Sequence, residues 1–187
     1  MKPATYLVLS SLLILASYLV FRVRVRRDYQ RGDRLSLVST LLECLVFCLH
    51  ANLSYTFLRA RWPALPSLPE NEFHRAFGLS ILAISIAIVL GSAIDLGVRK
   101  TFGQQTDNLY RSGFYQYTRN PQIVAYGLAI IGAASLWPSV YGLGWILLYG
   151  AIAHMMVLTE EEHLGRRFGS EYERYCREVP RYLPWPR

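Results

Sequence analysis

Charge is scarce in this chain. Only 18% of its 187 residues are Asp, Glu, Lys or Arg, whereas 52% are hydrophobic, a balance that argues against an ordinary water-soluble domain. Acids are the scarcer sign, 13 against 20 Lys and Arg, so the net charge is +7. Cysteine is scarce too. Cys44, Cys48 and Cys176 form no CxxC pair and leave an odd count, which speaks against a disulfide framework or a four-thiolate zinc site. His154, Glu160, Glu161 and His163 include metal-ligand residue types, but no HExxH frame accompanies them, and no metal is expected. Gly142-Leu-Gly144 lies inside an apolar run rather than at a strand-to-helix turn, so no dinucleotide-binding fingerprint is present. No groove-reading or base-stacking module accompanies the basic residues, which excludes nucleic acid and leaves anionic lipid headgroups as the partner of the positive charge.

What the chain has instead is long apolar runs. Five segments are nearly free of charge: Ala4 to Phe21, Leu35 to Leu58, Phe77 to Val98, Pro121 to Trp137 and Val140 to Leu158, of 18, 24, 22, 17 and 19 residues. At about 1.5 Å rise per residue, some 20 apolar residues cross the ~30 Å hydrocarbon layer. The runs therefore predict an all-helical integral membrane protein of about five spans. Trp137-Pro138-Ser139 separates the last two and suits the turn of a helical hairpin at the membrane surface. Lys and Arg number sixteen in alternate inter-span segments and four in the others. The positive-inside rule then puts the N-terminus outside, and Arg22 to Arg34, Arg99 to Asn120 and the C-terminal tail in the cytoplasm, as for a bacterial inner membrane. Residues 1–76 read as a two-span scaffold and 77–187 as the chemical core, within one structural unit.

Two cytoplasmic stretches stand out. Leu109-Tyr-Arg-Ser-Gly-Phe-Tyr-Gln-Tyr-Thr-Arg-Asn-Pro121 is aromatic and cationic and runs directly into the fourth span. Gly113 permits a turn there, and Pro121 is placed to open a helix whose first amides face an anion. The second stretch opens with Thr159-Glu160-Glu161-Glu162-His163. Leu164, Phe168, Tyr172, Tyr175 and Val179 follow at spacings of four, four, three and four, which predicts a helix from Glu160 with one apolar aromatic stripe, lying on the membrane or folded over the preceding loop. Polar residues inside the spans, Glu43, His50, Asn52 and Asp95, are costly in lipid and face a bundle interior or cavity. Glu43 and His50, seven apart, share a helix face and could line a substrate entrance or form interhelical hydrogen bonds.

Together the two stretches resemble the isoprenylcysteine carboxyl methyltransferase and phospholipid methyltransferase group of integral membrane methyltransferases. The resemblance is carried by Gly113-Phe-Tyr115, Arg119-Asn120-Pro121, a hairpin, Glu160-Glu161-x-x-Leu164, Phe168-Gly169, Tyr172, Tyr175 and Val179-Pro180-Arg181, over about residues 77 to 185. It implies S-adenosylmethionine as the methyl donor, held on the cytoplasmic side. Leu109 and Tyr110 would line its approach, Gly113 would shape the loop, and Tyr115, Asn120, Pro121, Gln122 and Ile123 would contact it. Glu160 and Glu161 would supply carboxylates, with Arg119 pairing to one or bracing the loop; Arg119 and Glu160 are the residues expected at the catalytic centre. Methyl transfer from a sulfonium asks mainly for alignment and exclusion of water.

Two departures from the family pattern bear on the acceptor. Ile123 stands where a tyrosine is frequent, leaving Tyr126 as a substitute aromatic contact. Met156 replaces the arginine that binds the substrate carboxylate in the prenylcysteine enzymes, which demotes a carboxylate acceptor. Met156, His154, Glu43 and His50 are the candidate substrate contacts, for a membrane lipid or small lipophilic acceptor arriving from the bilayer. An NADPH-dependent reductase like the sterol reductases, and a non-catalytic membrane adaptor, are the alternatives.

Overall fold

The computed structural model describes residues 3–32, 34–58, 60–61, 63–96 and 109–183, with the side chains of residues 95 and 96 outside that description. Among them the elements are α1 (Pro3–Tyr18), a π-helical stretch (Leu19–Val25), α2 (Arg26–Gly32), α3 (Leu37–Leu53), a 3₁₀ turn (Ser54–Thr56), α4 (Glu72–Leu96), a 3₁₀ turn (Gly113–Gln116), α5 (Pro121–Leu136), α6 (Val140–Phe168) and α7 (Ser170–Glu178). The chain is an all-α multi-pass integral membrane protein. Among the described residues, four helices are long and apolar enough to cross a membrane: Pro3–Gly32, Leu37–Thr56, Glu72–Ile94 and Val140–Phe168. The expected fourth span, α5, has 16 residues, about 24 Å of helix against a ~30 Å layer.

The surface is built for lipid. Leu7, Leu12 and Leu15 on α1, Leu41 and Leu45 on α3, Ile84 and Leu90 on α4, and Leu147 on α6 are all exposed. Such a continuous apolar exterior is tolerated where the solvent is hydrocarbon. Inside, residues from both halves of the chain share one core: Tyr6, Leu13, Phe21, Val25 and Val46 pack with Leu148 and Ile152. Helices α4 and α5 approach closely through glycines. A Cβ on Gly78 would fall 2.9 Å from the Gly132 carbonyl, and one on Gly132 would fall 3.0 Å from that of Gly78, which is how small residues substitute for a hydrophobic driving force between helices in lipid.

The boundaries depart from expectation in three places. The first helix does not end at the arginines; it continues to Gly32, because Arg22 and Arg26 are neutralised by Glu162 at 2.6 and 2.8 Å and no longer favour unfolding into water. The widened turn Leu19–Val25 carries Arg22 against α6, where it also donates to the Thr159 hydroxyl at 3.0 Å. Nor does a new helix start at Glu160. Helix α6 runs unbroken through the glutamates to Phe168, and the break falls at Gly169, whose φ of +50° only glycine adopts without strain. At the third boundary α4 begins at Glu72 rather than Phe77, since the Asn71 carboxamide accepts from the His74 amide at 3.1 Å and caps it. Asp28 joins α2 to α3: its carboxylate accepts from the Ser36 amide at 3.0 Å, the Ser39 hydroxyl at 2.6 Å and the Ser36 hydroxyl, which itself caps α3.

Candidate functional site

The segment after residue 108 turns toward α5 through the 3₁₀ turn at Gly113, which takes φ +58°. Phe114 seats that turn on α4, because Gly91 leaves room where a Cβ would come within 2.7 Å of its ring. Asn120 then leads into Pro121 at the first position of α5. Proline has no amide hydrogen, and the Asn120 side chain makes no capping hydrogen bond to the first turn of α5.

Over this segment folds the tail. Tyr172, Tyr175 and Val179 are buried together, with Leu109, Leu164, Phe168 and Cys176 packed against them, so the aromatic stripe covers the loop rather than lying flat on the membrane. Tyr175 donates to the Tyr115 carbonyl at 2.7 Å, and Arg111 lies 5.5 Å over its ring while donating to the Glu171 carbonyl at 2.7 Å. Burial pushes the Tyr175 phenol up to about 12 and raises that of Tyr172, where the Glu161 charge adds to it, so both are neutral donors near pH 7. The tail is also stitched to the loop by backbone. The Arg119 amide donates to the Pro180 carbonyl at 3.0 Å, and the Arg181 carbonyl accepts from the Asn120 carboxamide at 3.0 Å and the Thr118 hydroxyl at 3.2 Å.

The three consecutive glutamates are treated differently. Glu161 is gripped by Arg119 at 2.8 Å and by Arg181 at 2.6 Å, with the Arg181 Nε 3.0 Å from both carboxylate oxygens. Hydrogen bonds to Glu161 hold the Arg181 guanidinium above its ordinary range. Glu162 takes Arg22 and Arg26. Glu160 makes no hydrogen bond or ion pair to any described residue. It is half-buried, with the Glu161 charge acting on it.

The predicted site residues thus fall into groups. Leu109, Tyr110, Gly113, Tyr115, Asn120, Pro121 and Glu161 form one assembly with Arg119, and Tyr110 meets Tyr115 edge-on at 5.4 Å. Gln122 and Ile123 follow in the first turn of α5, where the Ile123 carbonyl accepts from Tyr149 at 2.5 Å. Tyr126 is packed deeper, against Phe47 and Tyr149. His50 stands apart from the site. Its Nε2 donates to the Trp145 carbonyl at 3.1 Å, the Trp145 indole donates back to the His50 carbonyl at 2.8 Å, and the rings stack at 5.2 Å. That is the interhelical hydrogen bonding that the sequence allowed for. Met156 packs half-buried against the main core. The Asp95 side chain, Arg99, Lys100 and Trp185 lie outside the described residues.

Helices α5 and α6 also line a groove of about 390 Å³, bounded by Ile123, Val124, Leu128, Tyr149, Ala153 and His154, among others. Tyr182 closes its end, with its hydroxyl 2.9 Å from His154 Nδ1. Tyr182, Thr118 and Tyr29 were not signalled by the sequence. Nothing in residue spacing reveals that a loop after α7 returns to the hairpin, or that an arginine-rich helix end buries a tyrosine. No group of His, Cys, Asp and Glu among the described residues is arranged to hold a metal.

Residues 73–171 match the family model described as phospholipid methyltransferase, just over half the chain. No curated protein and no solved structure matches the chain.

Proposed function

Since the chain belongs to the phospholipid methyltransferase family and is a membrane methyltransferase, we propose that it transfers a methyl group from S-adenosylmethionine to a lipid or small lipophilic acceptor drawn from the bilayer. The observation that carries this reading is the contrast among the glutamates: Glu161 and Glu162 each engage two arginines, while Glu160, next to Glu161 in α6, makes no hydrogen bond or ion pair to any described residue.

The residues present suit such a donor. Glu160 can accept from its hydroxyl or ammonium groups, the first amides of α5 suit its carboxylate, and Tyr110 and Tyr115 offer aromatic faces to its adenine. When bound, the donor supplies an electrophilic methyl on a sulfonium. The chain does the rest by position. Arg119 touches Glu161 and the Pro180 carbonyl, so it braces the loop that would meet the donor. Tail helix α7 covers the loop and excludes water, which sharpens any charge interaction beneath it.

The groove between α5 and α6 supports an acceptor with a hydrocarbon chain. Among its lining residues only Tyr149, His154 and Tyr182 carry polar side chains, and none is a lysine or arginine of the kind that would select a carboxylate. The arginine count favours placing the loop and tail on the cytoplasmic side.

Calorimetric titration of the purified protein with S-adenosylmethionine and, separately, NADPH tests the reading, with Tyr115→Ala and Glu160→Ala alongside. Micromolar-range binding of the first ligand, weakened in both variants, is the expected result. Folded protein that binds no S-adenosylmethionine would overturn it.

A further inference from the structure

One ionisable residue within a span takes no part in the donor site. His154 stands midway along α6, in its charge-free stretch, and is exposed. An ionisable side chain at such a place is costly in lipid unless it faces a cavity or a partner. Its Nδ1 is 2.9 Å from the Tyr182 hydroxyl, and its Nε2 has no hydrogen-bond partner among the described residues. Burial raises the Tyr182 hydroxyl above its ordinary value, so it stays neutral. A neutral hydroxyl that accepts from Nδ1–H leaves a lone pair on Nε2, as a proton acceptor requires.

His154 and Tyr182 both border the groove of about 390 Å³, which is the size of a small-molecule pocket. Ile123 and Val124, in the first turn of α5 after Asn120, border it too. The pair sits beside the glutamate clamp. Arg181 grips Glu161, while the next residue, Tyr182, grips His154, seven positions earlier on the same face of α6. An acceptor in the groove is thus bordered both by the imidazole and by the helix start that carries the donor loop.

The lining selects among acceptors. No Lys, Arg, Asp or Glu borders the groove, so neither a carboxylate nor an ammonium head finds a counter-ion there. An aliphatic alcohol is too weak an acid to give its proton to an imidazole, whereas a phenol, at about 10, is acidic enough. Tyr149, whose own hydroxyl is engaged by the Ile123 carbonyl at 2.5 Å, adds a third aromatic ring to those of His154 and Tyr182. We propose that the groove takes a lipophilic phenol and that His154, positioned by Tyr182, accepts its proton as the phenol oxygen is methylated. The inference rests on the donor reading and names an acceptor class for it. The O–H proton passes to His154 Nε2, the freed oxygen lone pair forms the O–C bond, and the C–S bond of the donor breaks with its electron pair left on sulfur.

A para-nitrophenol bearing an octyl chain tests the groove with no donor present, because its visible band moves to the red as its proton is drawn away. Titrated into the full detergent-purified chain, at a pH at which the free probe is protonated, it should bind saturably with a red-shifted band. His154→Gln, which keeps a polar side chain but no base, should hold its affinity within about threefold of the parent and lose the shift. Tyr182→Phe should bind with a weakened shift. An unchanged band in His154→Gln overturns the proposal, and so does undiminished binding by folded Gly150→Phe, whose ring enters the groove. With labelled S-adenosylmethionine, para-octylphenol should become its methyl ether, and His154→Gln should lower kcat about a hundredfold with KM little changed. Methylation of octylamine or octanethiol in preference to octylphenol overturns the phenol assignment. Protein that binds S-adenosylmethionine yet leaves octylphenol unmethylated overturns the proposal alone, and protein that binds no S-adenosylmethionine sinks the donor reading as well.

Discussion

Glu161→Gln should release the tail from the loop without unfolding the membrane helices. The substitution keeps the shape of the side chain and removes its charge, leaving the Arg119 guanidinium, whose side chain is 10% exposed, without a counter-ion. Breaking one side of a buried ion pair costs about 3 kcal/mol or more. Arg181 is 37% exposed, so its share is screened and adds less than about 1 kcal/mol. The backbone bonds from Arg119 to Pro180 and from Asn120 to Arg181 survive and limit the damage to local opening. Hydrogen–deuterium exchange in detergent reads this directly. At about 1.4 kcal/mol per tenfold change, amides of residues 115–120 and 172–181 should exchange roughly a hundredfold faster, with α3 and α4 unchanged. Glu162→Gln provides the control. Its partners Arg22 and Arg26 are 21% and 44% exposed and Glu162 itself 33%, so each pair is screened, is worth about 1 kcal/mol or less, and the effect should be confined to residues 19–32. Equal exchange of the loop and tail in Glu161→Gln and the parent would refute the view that the arginine clamp holds the site together.

Gly150 lines the α5–α6 groove and a Cβ placed on it meets nothing within 4 Å. Gly150→Phe should therefore fold, keep donor binding, and lower incorporation of labelled methyl into extracted membrane lipid; undiminished incorporation would remove the groove from the acceptor path. Gly91→Ala puts a methyl 2.7 Å from the Phe114 ring, so exchange in residues 113–117 should rise by the equivalent of about 1–3 kcal/mol and fall again when Phe114→Leu is added. Trp145→Phe leaves the buried His50 carbonyl without its indole donor, a loss of about 1–2 kcal/mol in stability that thermal unfolding in detergent would register. For Tyr175 the folded-state value is raised from 10.0 to about 12 by burial. Its contribution to tail docking is then complete below pH 10 and lost as the pH rises through about 12. Tyr175→Phe should flatten that alkaline loss, and an unaltered profile would show that another group governs it.

The membrane character of this chain, its helical class, its hairpin and the two stretches that meet at one end were all legible in the sequence. Apolar run length, proline and glycine punctuation and arginine asymmetry act locally and need no tertiary contact to be read. Periodicity likewise singled out Leu164, Phe168, Tyr172, Tyr175 and Val179 as one stripe, and the structure gathers the five in one cluster. Pairing was not legible. Three consecutive glutamates are equivalent as text, yet the rotation of about 100° per residue along α6 points each at a different neighbour. One meets the returning tail, one meets the extended first helix, and one meets neither. His50 and Glu43 share a helix face in the sequence, and only the packing of α6 decided that the first is clasped by Trp145 while the second is buried with its Oε1 unpartnered. Which arginine neutralises which carboxylate depends on distances across 20 to 140 residues of chain, and such contacts exist only once the helices have packed.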